Sequence, residues 1–114
     1  MASDKYQLVS IYLNEADKWN HRPLDLEILR FLNRSGCAGG TVLRGLAGFT
    51  KGGGIVTTSL VDVGSKLPVV VQFVEPSIKV DEVMPTLRQM AGKRLITVQE
   101  VQVVPADPQM DIGH

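Results

Sequence analysis

Three cations and a run of glycines are the residues of this chain best suited to chemistry. Arg44 stands inside an otherwise apolar stretch, and Lys93 and Arg94 follow Gly92 in a short turn. Such groups hold phosphate or carboxylate, a guanidinium through paired N–H bonds. Eight of the eleven glycines fall between Gly36 and Gly54. Gly39, Gly40, Gly45 and Gly48 carry no Cβ, so backbone N–H groups beside them can approach a phosphate closely. Strand glycines also make bulges or admit close packing at a subunit boundary, and both readings stand. The Gly-x-x-x-x-Gly-Lys-Ser/Thr loop is absent. Arg44 has a second reading too, as an intersubunit ion pair with Glu15 or Asp17. Lys93 and Arg94 also suit a helix end by the dipole alone. Glu15 and Asp17, with Lys18 and His21 nearby, have the functional groups for acid–base work or for a hard cation. No nucleophile or third ligand stands at a workable spacing, so they are expected to be solvated or ion-paired. Neither a catalytic residue nor a metal site is assigned.

These residues must be positioned by regular elements. Tyr6 to Leu13 alternates as a strand does. Pro23 suits the first position of a helix, in which Leu24, Ile28, Phe31 and Leu32 make one apolar stripe. Gly36 stops that helix. Trp19 is expected to cover the stripe, and Cys37 to pack as a small side chain. Gly39 to Phe49 reads as a second strand. Thr50 to Gly54 is too glycine-rich for one and is expected to be mobile, Ile55 to Val63 is strand-like again, and Leu67 to Glu75 is the strongest strand of all. Ser77 is a candidate cap for a second helix with the stripe Val80, Val83, Met84, Leu87, Met90 and Ala91. Pro85 within it predicts a kink or a late start. Leu95 to Val104 is the last strand, and Pro105 to His114 a frayed or draped tail.

The order is strand, helix, strand, long loop, strand, helix, strand. It predicts an α+β, ferredoxin-like βαββαβ domain over residues 1–104, a four-stranded antiparallel sheet with two helices on one face. Val69-Val70-Val71 and Val103-Val104 offer no polar side, so the second face needs a cover, and another copy of the chain is the simplest one. The 114 residues suffice for one core. Twelve basic and twelve acidic residues give zero net charge, which argues against a nucleic-acid partner. No run is apolar and long enough for a bilayer, and the start lacks a signal-peptide core. One cysteine forms no internal disulfide, and a cytoplasmic location is expected.

The segment Ala38-Gly39-Gly40-Thr41-Val42-Leu43-Arg44-Gly45-Leu46-Ala47-Gly48-Phe49 resembles the second strand of the PII-like signalling superfamily, in which a Thr-Val strand leads to Gly-Phe before a long loop. The closer resemblance is to the domain-of-unknown-function one-ninety family. It is carried by Glu15-Ala16-Asp17-Lys18 after the first strand, Pro23-Leu24 at the helix start, the glycine-bearing strand, and Leu67-Pro68-Val69-Val70. It spans residues 6–104 or so. The resemblance implies a homotrimer with its sheets facing inward and no enzymatic role. It implies a small anionic effector between subunits, an adenine nucleotide such as ATP, ADP, AMP or a cyclic nucleotide. It implies signalling to a transporter, channel or enzyme through a mobile T-loop, here Thr50 to Lys66. On this footing Gly39, Gly40, Thr41, Arg44, Gly45, Gly48, Phe49, Lys93 and Arg94 are the candidate ligand-binding residues, with Glu15, Asp17 and Lys18 secondary. A second expectation is a divalent-cation-linked protein resembling the cation-tolerance branch of the same architecture. The Met90-Ala91-Gly92-Lys93-Arg94 turn keeps one glycine and two cations where PII proteins have a glycine-rich phosphate loop.

Overall fold

A computed structural model describes residues 5–58 and 66–106. Its elements are β1 (Tyr6–Asn14), β2 (Lys18–Trp19), β3 (Arg22–Pro23), α1 (Leu24–Arg34), β4 (Thr41–Arg44), β5 (Ala47–Gly48), β6 (Val56–Thr57), β7 (Pro68–Pro76), α2 (Ser77–Ala91) and β8 (Ile96–Val101). The main sheet has the order β4-β7-β1-β8 and is antiparallel throughout. This is the ferredoxin-like arrangement expected from the chain order.

Alternation along the two central strands sets the layers. In register, Val9 lies opposite Phe73, Ile11 opposite Val71 and Leu13 opposite Val69. These six face the helices and join Leu24, Ile28 and Leu32 of α1 and Val80, Val83, Leu87 and Met90 of α2 in one core. Trp19 and Cys37 pack against that core, as expected of both. Helix α1 begins one residue after Pro23. Helix α2 starts at Ser77, passes through Pro85 and stops at Gly92, whose φ of 62° with ψ of −121° suits glycine alone. Pro85 therefore does not delay the helix.

The opposite face of the sheet departs from its sequence expectation. Thr41, Gln72, Ser10 and Thr97 form one row across all four strands, and Gln72 Nε2 donates to Ser10 Oγ at 3.1 Å. That polar row interrupts an apolar surface made by Leu8, Tyr12, Leu43, Val70 and Val74. Val103 and Val104 lie beyond the end of β8 and contribute nothing to it. The face is apolar with a polar seam.

Two further differences arise in the connections. The stretch read as one strand from Gly39 to Phe49 is two, β4 and β5, divided at Gly45. The second half leaves the sheet to pair with β6, Ala47 opposite Thr57 and Gly48 opposite Val56. A turn with Gly53 N–H donating to the Thr50 carbonyl at 2.9 Å closes one stretch of this excursion. The expected strand to Val63 and the rest of the expected T-loop up to Gly64-Ser65 lie outside the described residues beyond Thr58, as does the tail beyond Ala106. The other difference is the small β2–β3 hairpin before α1, where Asn20 and His21 both take positive φ, 51° and 69°.

Candidate functional site

The end of the sheet where β1 stops, β7 starts and β8 is entered carries the densest chemistry. A cleft of about 470 Å³ there is lined by Tyr12, Asp17, Phe49, Val70, Lys93 and Arg94, among others. Its floor is the central pair of strands. Its walls are the turn after α2 and the base of the β5–β6 hairpin. Phe49 is 73% exposed and Tyr12 42% exposed, so two aromatic faces are open to a ligand.

The turn after α2 is tied down at several points. Arg94 Nε donates to Asp17 Oδ2 at 2.8 Å, and Arg94 Nη1 to the Ala91 carbonyl at 3.2 Å. Asp17 Oδ2 also accepts the Asn14 N–H at 3.0 Å. From the last turn of the helix, Arg88 Nη2 donates to the carbonyls of Gly92 and Arg94. Burial works to raise the Asp17 pKa, but the Arg94 bond, the Asn14 N–H and the nearby Lys66 charge together hold it below the ordinary value. The bond to Asp17 raises the Arg94 pKa. Lys93 is exposed and has no ion pair or hydrogen bond among the described residues.

This pair sets an acid limb. A carboxylate with a depressed pKa adds stability that is present above its unfolded value, near 4, and lost as pH falls through the folded value. Because Arg94 is about a third exposed, the pair is worth about 1 kcal/mol after solvent screening. Asp17→Asn is expected to lose that much at pH 7, with the gap to the wild type closing below about pH 4. Urea midpoints across pH 3–8 check this.

Arg44 lies elsewhere. It ends β4, and its Nε is 3.4 Å from Glu15 Oε1 within the same chain. The ion-pair reading of Arg44 thus has an intrachain partner. β4 and the β8 end of the sheet are opposite edges, three strand spacings or about 14 Å apart. Arg44 stands against Glu15 and Arg94 against Asp17, two residues further along the loop after β1, and Arg44 is not among the residues lining the cleft. Gly39, Gly40 and Thr41 sit at the other end of β4, where they edge grooves against α1 and on the open face.

The glycines divide by cause. A Cβ on Gly45 would stand 2.8 Å from Pro68 Cγ, and one on Gly48 2.9 Å from the same atom. Close packing within the chain explains both. At Gly40 the neighbour is Leu29 Cδ2 at 3.1 Å, while at Gly39 nothing lies within 4 Å. Of the secondary residues, Glu15 and Asp17 are each held by an arginine, and Lys18 is exposed on β2. Among the described residues no group of three or more His, Cys, Asp or Glu is placed to hold a metal ion, so the divalent-cation expectation finds no ligand set there. No helix is long and apolar enough to cross a membrane among those residues.

Sequence reasoning missed three residues. One is Tyr12, whose ring stands open in the cleft. Another is Arg88, the clamp on the turn. The third is Glu75, only 6% exposed, whose Oε2 accepts the Ala38 N–H at 2.5 Å and so fixes the connection from α1 to β4. Strand parity could have found Glu75, because it continues the buried series Val69, Val71, Phe73.

The chain is 30% identical over 102 residues to a UPF0166 protein of Aquifex aeolicus, covering 88% of this chain and 94% of that one. It is 28% identical over 86 residues to UPF0166 protein MJ1524 of Methanocaldococcus jannaschii, covering 75% and 79%. Among solved structures it is similar to CPII, a nitrogen regulatory PII-like protein from Thiomonas intermedia K12, bound to ADP, AMP and bicarbonate. The TM-score there is 0.62 at 20% identity, covering 87% of this chain and 88% of that one. The likeness to CPII is one of fold. Residues 6–103 match the DUF190 family, described as "Uncharacterized ACR", and the chain belongs to that family, with a PII-like fold.

Proposed function

We propose that the protein is a PII-like regulator that binds an adenine nucleotide between copies of itself. One observation carries the reading. At a single cleft Lys93, a cation with no partner among the described residues, stands beside two exposed rings, Tyr12 and Phe49, at the foot of the hairpin. A ring face suits a base and an ammonium suits a phosphate. The similar structure of CPII, which holds ADP and AMP, supports the choice of ligand class.

The cleft of one chain is open on one side. A second copy that brings its β4 edge alongside would supply Arg44 as a further cation, with the backbone around Gly39, Gly40 and Thr41 at the far end of that strand. Burial of the apolar open face with its polar seam in a trimer is the arrangement this reading requires. Nucleotide occupancy would then bear on Phe49 and the hairpin, and through the longer loop to Lys66 on a transporter, channel or enzyme partner.

Titration calorimetry with ATP, ADP, AMP and cyclic nucleotides tests it, alongside sedimentation. The trimer is expected at three times the 12.4 kDa chain mass. At least one nucleotide is expected to bind below millimolar, and Lys93→Ala to weaken it about tenfold or more, as loss of one charge-assisted contact does. A monomer, or no nucleotide binding below about 1 mM, a free energy near −4 kcal/mol, overturns the reading.

A further inference from the structure

Lys93 is useful to a phosphate only if its turn is fixed before the ligand arrives. An ammonium on a floppy turn loses affinity to the ordering it must undergo on binding. The turn here is three residues, and glycine opens it at a conformation other residues avoid. Left alone, it would be loose.

It is not left alone. Arg88 reaches forward from the last turn of α2 and caps two carbonyls, that of Gly92 and, at 2.5 Å, that of Arg94. The two bonds span Lys93 from either side. Arg94 commits its own guanidinium to Asp17, and a backbone bond from Arg94 N–H to the Ala91 carbonyl at 3.0 Å closes the turn. Asp17 is itself anchored through the Asn14 N–H to the end of β1. The chain of contacts therefore runs helix, turn, loop, strand, and passes around Lys93 without touching its side chain.

We propose that Arg88, Arg94 and Asp17 are positioning residues that hold the Gly92–Arg94 turn so that the Lys93 ammonium faces the phosphate of a bound nucleotide. This rests on the nucleotide reading above, and it reassigns Arg94 from ligand contact to scaffold. Arg88 is exposed and its side chain carries no core packing, so its removal leaves the fold intact.

The test has two independent readouts. The first needs no nucleotide. In Arg88→Ala and in Asp17→Asn, backbone amide exchange at Gly92 and Arg94, whose N–H groups are held by the Arg88 and Ala91 carbonyls, is expected to rise about tenfold or more, with the core strands unchanged, as local opening does. Unchanged exchange at the turn in both variants overturns the proposal. The second is a double-mutant cycle on ADP affinity. Arg88→Ala is expected to weaken ADP about tenfold, and Arg88→Ala combined with Lys93→Ala to bind no worse than Lys93→Ala alone, because both changes remove one contact. Fully additive losses overturn the proposal, since Arg88 would then act on the ligand or the fold by itself. Arg88→Lys, which keeps the charge but loses the planar fork, is expected to behave like Arg88→Ala. If wild type binds no nucleotide while the turn loosens in both variants, the scaffold stands and only the nucleotide reading falls.

Discussion

Gly45→Ala lowers stability by about 1–3 kcal/mol, the usual cost of forcing a methyl into a filled space, and Pro68→Ala returns part of that loss. The reason is local geometry. The added Cβ would meet Pro68 Cγ at 2.8 Å and the Pro68 carbonyl oxygen at 3.4 Å. A proline ring is closed onto its own backbone and cannot swing aside as a long side chain does. Pro68 also opens β7, one of the two central strands, and accepts the Gly45 N–H at 2.7 Å. Moving it shifts the sheet. Gly48 presses on the same Cγ from the next turn of the chain. The Gly-Leu-Ala-Gly of one segment and the Leu-Pro of another are thus two sides of a single contact, and that contact is where β4 leaves the sheet for the hairpin. Urea unfolding at fixed protein concentration reads the effect, and a double-mutant cycle isolates the coupling. Equal stability of Gly45→Ala and wild type would show that the hairpin base yields, and the packing account of both glycines would fail.

The helices and central strands were legible because each buries one face, and burial writes a period into the sequence. Val9-Ile11-Leu13 and Val69-Val71-Phe73 show a period of two, and Leu24-Ile28-Leu32 a helical one. The β2–β3 hairpin was not legible, since two-residue strands have no period. Its turn also lacks the usual glycine, placing His21 at φ 69° instead. The division of the second strand at Gly45 was hidden for another reason. The glycines announced a special backbone without saying what approaches it, and Pro68 is more than twenty residues away. Candidate site residues were recognisable by type, but their commitments were not. Arg94 and Asp17 are separated by 77 positions, and no spacing rule links them. For Arg44 the sequence offered Glu15 or Asp17 as ion-pair partners across a subunit boundary, and the structure pairs it with Glu15 within the chain. Sequence supplied the inventory of charges, and folding decided which of them are spent on one another; of the two cations lining the cleft, Arg94 is paired and Lys93 has no partner among the described residues.

Glu75→Ala is expected to cost about 1.5–3 kcal/mol, the range for a hydrogen bond to a charged group whose partner is left in a buried setting. The carboxylate lies on the helix face of β7, in register with Gln7, and its Oε2 holds the Ala38 N–H. Without it the Ala38 donor has no acceptor, and the segment from Ser35 to Gly40 loses its tie to the sheet. Glu75→Gln keeps an acceptor oxygen in place and is expected to lose less than half as much. Cys37 gives a second readout in the same spot. Burial raises its thiol pKa first, and the Glu75 charge raises it further, against a smaller opposing pull from Lys79. Neutralising Glu75 therefore lowers the thiol pKa toward its ordinary value, and at pH 8 more thiolate is present. Alkylation of Cys37 in Glu75→Gln is expected to run faster than in wild type, with the difference vanishing at a pH high enough to ionise both. A Glu75→Ala variant that unfolds at the wild-type urea midpoint would contradict the tie between Glu75 and Ala38. Slower or unchanged alkylation in Glu75→Gln would contradict the charge at Glu75, because only an ionised carboxylate there opposes the thiolate.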